Sequence, residues 1–231
     1  MLNLLKNKFA ELARERSSTP EVISFQTIRR TVGWLGISLP IVLFGDHIIG
    51  SCNELQPSIS HFYYTNMREI FVGTLCAVSL FLFTYKGHSK LDSYTANLAG
   101  LFSLGVALFP THFIINFPCQ QNVTPFIDIS FHATIHFTCA ALFFLTLAYM
   151  SIALFTKSNL PEQDRTRQKR KRNVVYKVCG WIMVGCIAWI GIYSFFIQGK
   201  TETQTVFWFE TIALISFGTS WLTKGEALFG D

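Results

Sequence analysis

The sequence of 231 residues is half hydrophobic and only 14% charged, with a positive mean hydropathy. This composition is typical of a polytopic membrane protein and excludes an ordinary soluble domain. The formal net charge of +5 does not indicate nucleic-acid binding, because the basic residues cluster in predicted loops, where they set membrane topology. Glycine-rich phosphate loops and haem-type cysteine motifs are absent from the sequence, which therefore predicts no nucleotide, haem or flavin cofactor.

Residues 1–30 are predicted to form a cytoplasmic N-terminal segment. Leu5, Phe9 and Leu12 share one helical face, and most of the basic residues lie elsewhere. This pattern is typical of an amphipathic helix on a membrane surface, and a disordered basic tail is the alternative. No cleavable signal peptide is evident, so we expect the first span to act as its own insertion signal.

Six apolar stretches are long enough to cross a bilayer, which needs about 20 helical residues. They cover residues 31–50, 68–86, 94–116, 128–155, 174–197 and 206–223. The sequence therefore predicts an all-α fold with one domain over 31–223, a bundle of six transmembrane helices. Residues 224–231 would form a cytoplasmic tail.

The lysines and arginines give the orientation of the predicted spans. With the N-terminus inside, every one of them except Arg68 and Lys200 falls on the inner side. This asymmetry predicts that both termini are cytoplasmic. The basic run at 165–172 dominates the count and has two interpretations: contact with anionic lipid, or a topology signal alone.

Two of the six cysteines fall in predicted outer loops. Cys52 follows the first span and Cys119 follows the third, whereas the others lie within spans. Both loops face the oxidising side in this topology, so a Cys52–Cys119 disulfide is expected. The four cysteines in spans are most simply small buried apolar residues.

Polar and ionisable residues concentrate near the predicted outer ends of five spans. Asp128, His132 and His136 are spaced i, i+4, i+8 and would stack along one helical face. Ionisable groups are costly in hydrocarbon and by default indicate a functional site. The other members of this outer cluster are Asp46, His47, Ser58, Ser60, His61, Tyr63, Tyr64, Asn66, Arg68, Glu69, Thr111, His112 and Glu210.

Histidine together with carboxylate is the ligand set of zinc and related metals. His132 and His136 at i, i+4 can reach one ion, with a third ligand from His47, His112 or His61. Glu210, Asp46 or Asp128 would then act in catalysis, as a metal ligand, by orienting a ligand, or as a general base on metal-bound water. The predicted ligand-binding residues are Ser60, Tyr63, Tyr64, Arg68, Glu69 and Thr111. Structural ion pairs and interfacial hydrogen bonds are the alternative interpretation of each residue.

Most of the chain from residue 31 carries a resemblance, in the stretches SISHFYYTNMREIFVGTLCAVSLFLFTYKG, NLAGLFSLGVALFPT, HFTCAALFFLTLAYMSIALFTK and ETIALISFGTSWLTKGE. In these stretches the chain resembles a family of small bacterial six-span membrane proteins. The resemblance implies a multi-pass protein of the bacterial inner membrane and no particular activity. The matching residues are Ser58, Ser60, Tyr63, Tyr64, Arg68, Gly73, Pro110, Thr111, His136 and Glu210; His132 is not among them.

A looser likeness is chemical. Ceramidase and progestin-receptor-like membrane hydrolases use a Ser, an Asp and an HxxxH pair around zinc in seven helices. Here the HxxxH pair lies in the fourth of six predicted spans, so the likeness is an analogy.

We therefore expect an outer-leaflet pocket that binds a lipid or small polar molecule, with metal-assisted lipid hydrolysis as the enzyme hypothesis and Zn as its metal. A proton-coupled carrier and a non-catalytic scaffold are the alternatives.

Overall fold

The structure is a computed structural model that describes residues 20–50, 53–87, 89–121, 123, 129, 131–158, 161, 163, 165–196 and 204–229, with side chains from Phe25 onward. The α-helices of this part of the chain are α1 (Pro20–Ile49), α2 (Arg68–Thr84), α3 (Lys90–Leu108), α4 (His132–Tyr149), α5 (Arg167–Phe196) and α6 (Thr205–Lys224). A short 3-10 helix, Ile59–Tyr64, precedes α2, and a π-helical turn, Met150–Leu154, continues α4. The described part contains no strand.

The helices form a closed ring. Each helix packs against its neighbours in the chain, and α6 packs against α1, which closes the bundle. The interior is filled by apolar side chains, among them Leu43, Leu82, Leu147 and Phe217, all nearly inaccessible to solvent. Many other large apolar side chains point outward instead, such as Trp181, which is 64% exposed. The predicted all-α bundle is confirmed.

Four of the described helices are long and apolar enough to cross a membrane. They are Phe25–Ile49 within α1, His132–Leu154, α5 and α6. These helices indicate an integral, multi-pass membrane protein. The other two helices of the ring, α2 with 17 residues and α3 with 19, are not in this group of long and apolar helices.

Several helix boundaries differ from the predicted spans. The first helix begins at Pro20, ahead of the predicted start at residue 31, and proline is well suited to a first helical position. The predicted span 94–116 is wrong at its end, because α3 stops at Leu108. The reason is Pro110, which lacks a backbone N–H and disfavours helical geometry in Phe109 before it.

The predicted basic loop at 165–172 is also different in the structure. From Arg167 onward it forms the first turns of α5. The stripe of Asp128, His132 and His136 is altered as well, because α4 begins only at His132. Asp128 lies outside the described residues.

Two glycines bring α1 and α6 into backbone contact. A Cβ atom added to Gly218 would lie 2.5 Å from the carbonyl oxygen of Gly33. A Cβ atom added to Gly33 would lie 2.9 Å from the carbonyl oxygen of Gly218. Small residues allow such close packing of membrane helices. The closure of the ring therefore depends on the absence of side chains at this pair.

We expect Gly218→Ala to lower the stability of the purified protein. The added methyl group would push α6 away from α1, and overpacking of this kind costs about 1–3 kcal/mol. Gly45→Ala and Gly185→Ala are matched controls, because nothing lies within 4 Å of the added Cβ at either position. Thermal unfolding in detergent tests the prediction, and equal melting temperatures for Gly218→Ala and the controls would contradict it.

Candidate functional site

Two connecting segments cover one end of the bundle, and together they form what we call the capped end: residues 53–67 and 109–121. The side-chain NH₂ group of Gln56 donates to the carbonyl oxygen of Pro118 at 3.2 Å, and that of Gln120 donates to the side-chain oxygen of Gln56 at 2.9 Å. The N–H of Gln121 donates to the carbonyl oxygen of Tyr64 at 2.7 Å. These bonds tie the connection before α2 to the connection after α3.

A disulfide adds to the capped end. Cys119 is disulfide-bonded, whereas Cys76, Cys139, Cys179 and Cys186 are free thiols. Its predicted partner, Cys52, lies outside the described residues. The state of Cys119 agrees with the expected disulfide, and the identity of its partner stays a prediction.

The 3-10 helix Ile59–Tyr64 is folded into the bundle and buried. Its first N–H groups have no partner within so short a helix, and the carboxyl group of Glu210 on α6 meets them. The N–H of Ile59 donates to Glu210 Oε2 at 2.6 Å, and the backbone of Ser60 also hydrogen-bonds this carboxyl group. Close by, the N–H of Phe207 donates to the carbonyl oxygen of Pro57 at 3.1 Å. Glu210 therefore anchors this helix to α6.

The histidine pair of α4 contacts two successive carbonyl groups of the chain after α3. His132 Nδ1 lies 2.9 Å from the carbonyl oxygen of Pro110, and His136 Nδ1 lies 2.6 Å from that of Phe109. Carbonyl groups at a helix end need a donor from elsewhere. The i, i+4 spacing places both imidazole N–H groups on one face of α4, where they donate to these oxygens.

His136 also joins Ser60. Its Nε2 lies 2.9 Å from Ser60 Oγ, and both residues are buried, with exposures of 1% and 7%. Because Nδ1 carries the proton donated to Phe109, Nε2 of the neutral ring is the acceptor, and the Ser60 hydroxyl donates to it. The lone pairs of Ser60 Oγ remain available to a third group.

A cavity of about 40 Å³ lies beside this pair. That volume is enough for a few water molecules or a short piece of an apolar chain. Only Ser60 and Glu210 among its lining residues are polar; the others are Leu39, Ile59, Phe71, Leu75, Val106, Ala140, Phe143, Phe144 and Leu214. The cavity is therefore an apolar space with two polar groups in its wall.

The predicted tyrosines and Arg68 form a second group. Arg68 Nη2 donates to Tyr63 Oη at 2.8 Å, and its guanidinium lies 4.4 Å from the centre of the Tyr63 ring. Tyr64 Oη donates to the carbonyl oxygen of Thr111 at 2.7 Å. Glu69 is exposed in the first turn of α2. Arg68 is thus engaged with an aromatic ring, and this group does not line the cavity.

The remaining predicted site residues lie apart from Ser60 and Glu210. The side chain of Asp46 lies against the backbone of Gly50. His47 packs against Phe44 with ring centres 5.8 Å apart, and exposed His112 lies 5.9 Å from Phe137. None of the three predicted residues lines the cavity.

The predicted metal ligands do not converge in the described part of the chain, where no three His, Cys, Asp or Glu side chains are placed to hold an ion. His132 and His136 instead direct Nδ1 at backbone carbonyls. Sequence reasoning missed these backbone partners. Pro110, which ends α3 and so leaves carbonyl groups without helical partners, was the available signal.

Comparison with known proteins gives no assignment: no protein-family model, no curated protein and no solved structure matches this chain.

His61, at the capped end, makes stability depend on pH. Its Nδ1 lies 2.7 Å from Ser58 Oγ, and burial, with the nearby charges of His136 and His112, lowers its pKa from 6.5 to about 4. An imidazole whose pKa falls on folding contributes stability that is fully present when the pH is above the pKa of the unfolded state. This stability is lost as the pH falls toward the pKa of the folded state.

We expect the melting temperature in detergent to fall between pH 6.5 and pH 4, because unfolding releases His61 to take up a proton. One such group changes the free energy of unfolding by at most about 1.4 kcal/mol per pH unit. His61→Gln keeps a polar partner for Ser58 and should flatten the decline, and an unchanged slope would show that other groups cause it.

Proposed function

We propose that this protein is a multi-pass protein of the bacterial plasma membrane whose capped end binds an apolar molecule with a small hydrogen-donating head group. The observation that carries the proposal is the apolar cavity with Ser60 and Glu210 in its wall. Ligand sites are typically apolar spaces with a few placed polar groups. This cavity is small, so it would receive the end of a molecule and not a whole lipid.

All six helices cross the membrane in this proposal, with both termini in the cytoplasm. The ring supports the six spans, because α2 packs against α1 and α3, and α3 packs against α4. At about 1.5 Å per residue, the 17 residues of α2 extend roughly 26 Å, close to the thickness of the hydrocarbon core. The distribution of Lys and Arg supports the orientation.

The hydrogen bonds of the site favour a head group that donates. The Ser60 hydroxyl hydrogen is directed at His136, so its oxygen offers lone pairs to the cavity. Glu210 Oε2 accepts from the N–H of Ile59, and the carboxyl oxygens have further lone pairs that can accept from a ligand. A ligand with an N–H or O–H group, such as an amide, an alcohol or an amine, satisfies both oxygens.

A carrier is less well supported, because aromatic side chains fill the interior beyond the cavity. The rings of Phe143 and Phe217 have centres 6.1 Å apart, and Phe217 lies 6.1 Å from Trp221. Trp221 in turn contacts Phe155 at 5.4 Å. This column separates the cavity from the opposite end of the bundle, whereas a carrier needs a polar path between the two faces.

Photolabelling tests the proposed pocket. A primary fatty amide with a diazirine in its chain should label residues of the cavity wall, and Ala140→Phe, which fills the cavity, should reduce this labelling about tenfold or more. Leu145→Phe is the matched control, because Leu145 is on the same helix and 44% exposed. Equal labelling in both variants, mapped by mass spectrometry of peptides, would contradict the proposal.

A second function, acyl transfer by Ser60, is favoured by its hydrogen bond to His136. In this step Ser60 Oγ attacks the carbonyl carbon of an ester and its proton passes to His136 Nε2. The ester C–O bond then breaks, the leaving alcohol takes the proton, and water later releases the acyl group by the same route. The carbonyl of Phe109 orients the imidazole. Nε2 of His136 lies 2.9 Å from Ser60 Oγ, so the imidazole is placed to take the proton of this hydroxyl.

The acyl-transfer function predicts covalent labelling by a fluorophosphonate probe in intact membranes. Ser60→Ala should abolish labelling, and His136→Gln should slow it by about 10²-fold or more, as expected for loss of a general base. Ser58→Ala is the control, because this second buried serine is paired with His61 instead. If folded wild-type protein carries no label on Ser60, its hydroxyl has only a binding or structural role.

A further inference from the structure

Four basic side chains converge at the end of the bundle opposite the capped end, and we call them the basic cluster: Arg29, Lys169, Arg172 and Lys224. They come from the first part of α1, the first turns of α5 and the last residue of α6. Arg29, Lys169 and Arg172 are each close enough to Lys224 to act on its charge. The cluster is thus built from three helices that are far apart in the sequence.

Aromatic rings hold these cations in place. The ammonium group of Lys224 lies 5.2 Å from the centre of the Phe155 ring, and the guanidinium of Arg29 lies 5.6 Å from that of Tyr85. Lys169 Nζ donates to the carbonyl oxygen of Phe155 at 3.0 Å. Ring contacts of this kind fix the direction of Lys224 and Arg29 and do not themselves neutralise the charge.

Among the described residues, Asp92 and Glu226 are the acidic groups that contact or act on the cluster. Asp92 is the acidic group that acts on Lys224, but its Oδ1 lies 3.6 Å from Lys157 and its Oδ2 accepts from the N–H of Ser89 at 3.1 Å. Glu226 is 42% exposed and lies 3.5 Å from Arg172. It also accepts a hydrogen bond from Gln26.

Two donors of the cluster are open to a further partner. Lys224 has neither an ion pair nor a side-chain hydrogen bond with a described residue, and Arg29 Nε is buried without a hydrogen bond in the described part of the chain. A buried donor without a partner is costly, and like charges side by side add to the cost. A bound anion with several acceptor oxygens would remove both costs.

We propose that the basic cluster is a binding site for a phosphate group. Phosphate suits it because its oxygens can accept from guanidinium and ammonium groups together. The site is distinct from the cavity at the capped end, and its occupancy does not depend on the function proposed there. A phospholipid head group at the membrane surface and a free phosphate ion in solution are the two sources of this chemistry.

Binding is measured on the purified chain of 231 residues. Inorganic phosphate should raise its melting temperature more than chloride does at equal ionic strength, since a ligand stabilises the state to which it binds. In nanodiscs of phosphatidylcholine, added phosphatidic acid should be retained by the protein in native mass spectrometry. Binding of phosphatidic acid alone identifies lipid as the source, and binding of free phosphate identifies a soluble anion. If the protein binds neither free phosphate nor phosphatidic acid, the proposal is overturned.

Lys224→Met gives a sharper test, because methionine keeps the contact with Phe155 and removes one charge. It should weaken phosphate binding by about tenfold or more. Without phosphate, the variant should be at least as stable as the wild type, since it relieves repulsion within the cluster. Lys177→Met removes the same charge from an exposed position on α5 and should change binding less than about twofold. Equal phosphate effects in both variants, or a less stable phosphate-free Lys224→Met, would overturn the assignment.

Discussion

The arrangement of the capped end depends on the hydrogen bond between the Ile59 N–H and Glu210 Oε2. In an apolar interior neither group can hydrogen-bond to water. Each must therefore bond to the other, because burying a polar group without a hydrogen bond costs considerable free energy. The bond fixes the start of the 3-10 helix on α6. Ser60, the next residue, is thereby brought to His136 and to the cavity wall. One carboxyl group thus sets the position of a whole segment.

Pro110 has a similar influence on α4. By ending α3 it leaves carbonyl groups that no helical N–H can reach. His132 and His136 meet two of these groups from a neighbouring helix. The donation to Phe109 also decides which nitrogen of His136 is free to accept from Ser60. A break in one helix therefore determines the protonation pattern of a side chain on another.

The sequence predicted the helices well and their partners poorly. Hydropathy identified α2 almost to the residue, because an arginine precedes its apolar run and a lysine follows it. It extended α3 too far, because the apolar run continues through Phe113, Ile114 and Ile115 after Pro110, and hydropathy does not register a missing N–H.

Polar residues in apolar surroundings drew attention to Ser60, His136 and Glu210, and the structure places Ser60 beside each of the other two. Their pattern could not separate them from Asp46, His47 and His112, which the predicted spans place at a similar depth. Periodicity gives the face of a helix and not the group that this face meets. The backbone partners at Phe109 and Ile59 carry no side-chain signal and therefore required the structure.

The contact between Gly33 and Gly218 has a consequence for biogenesis. The first helix of the ring is synthesised long before the last one, and chains are made from the N-terminus onward. Until α6 enters the membrane, the bare backbone strip at Gly33 faces lipid, or another protein that shields it. The ring can close only after its last helix, α6, has been translated. A ribosome that stalls before α6 would therefore leave an open bundle in which no α6 covers the backbone of α1 at Gly33.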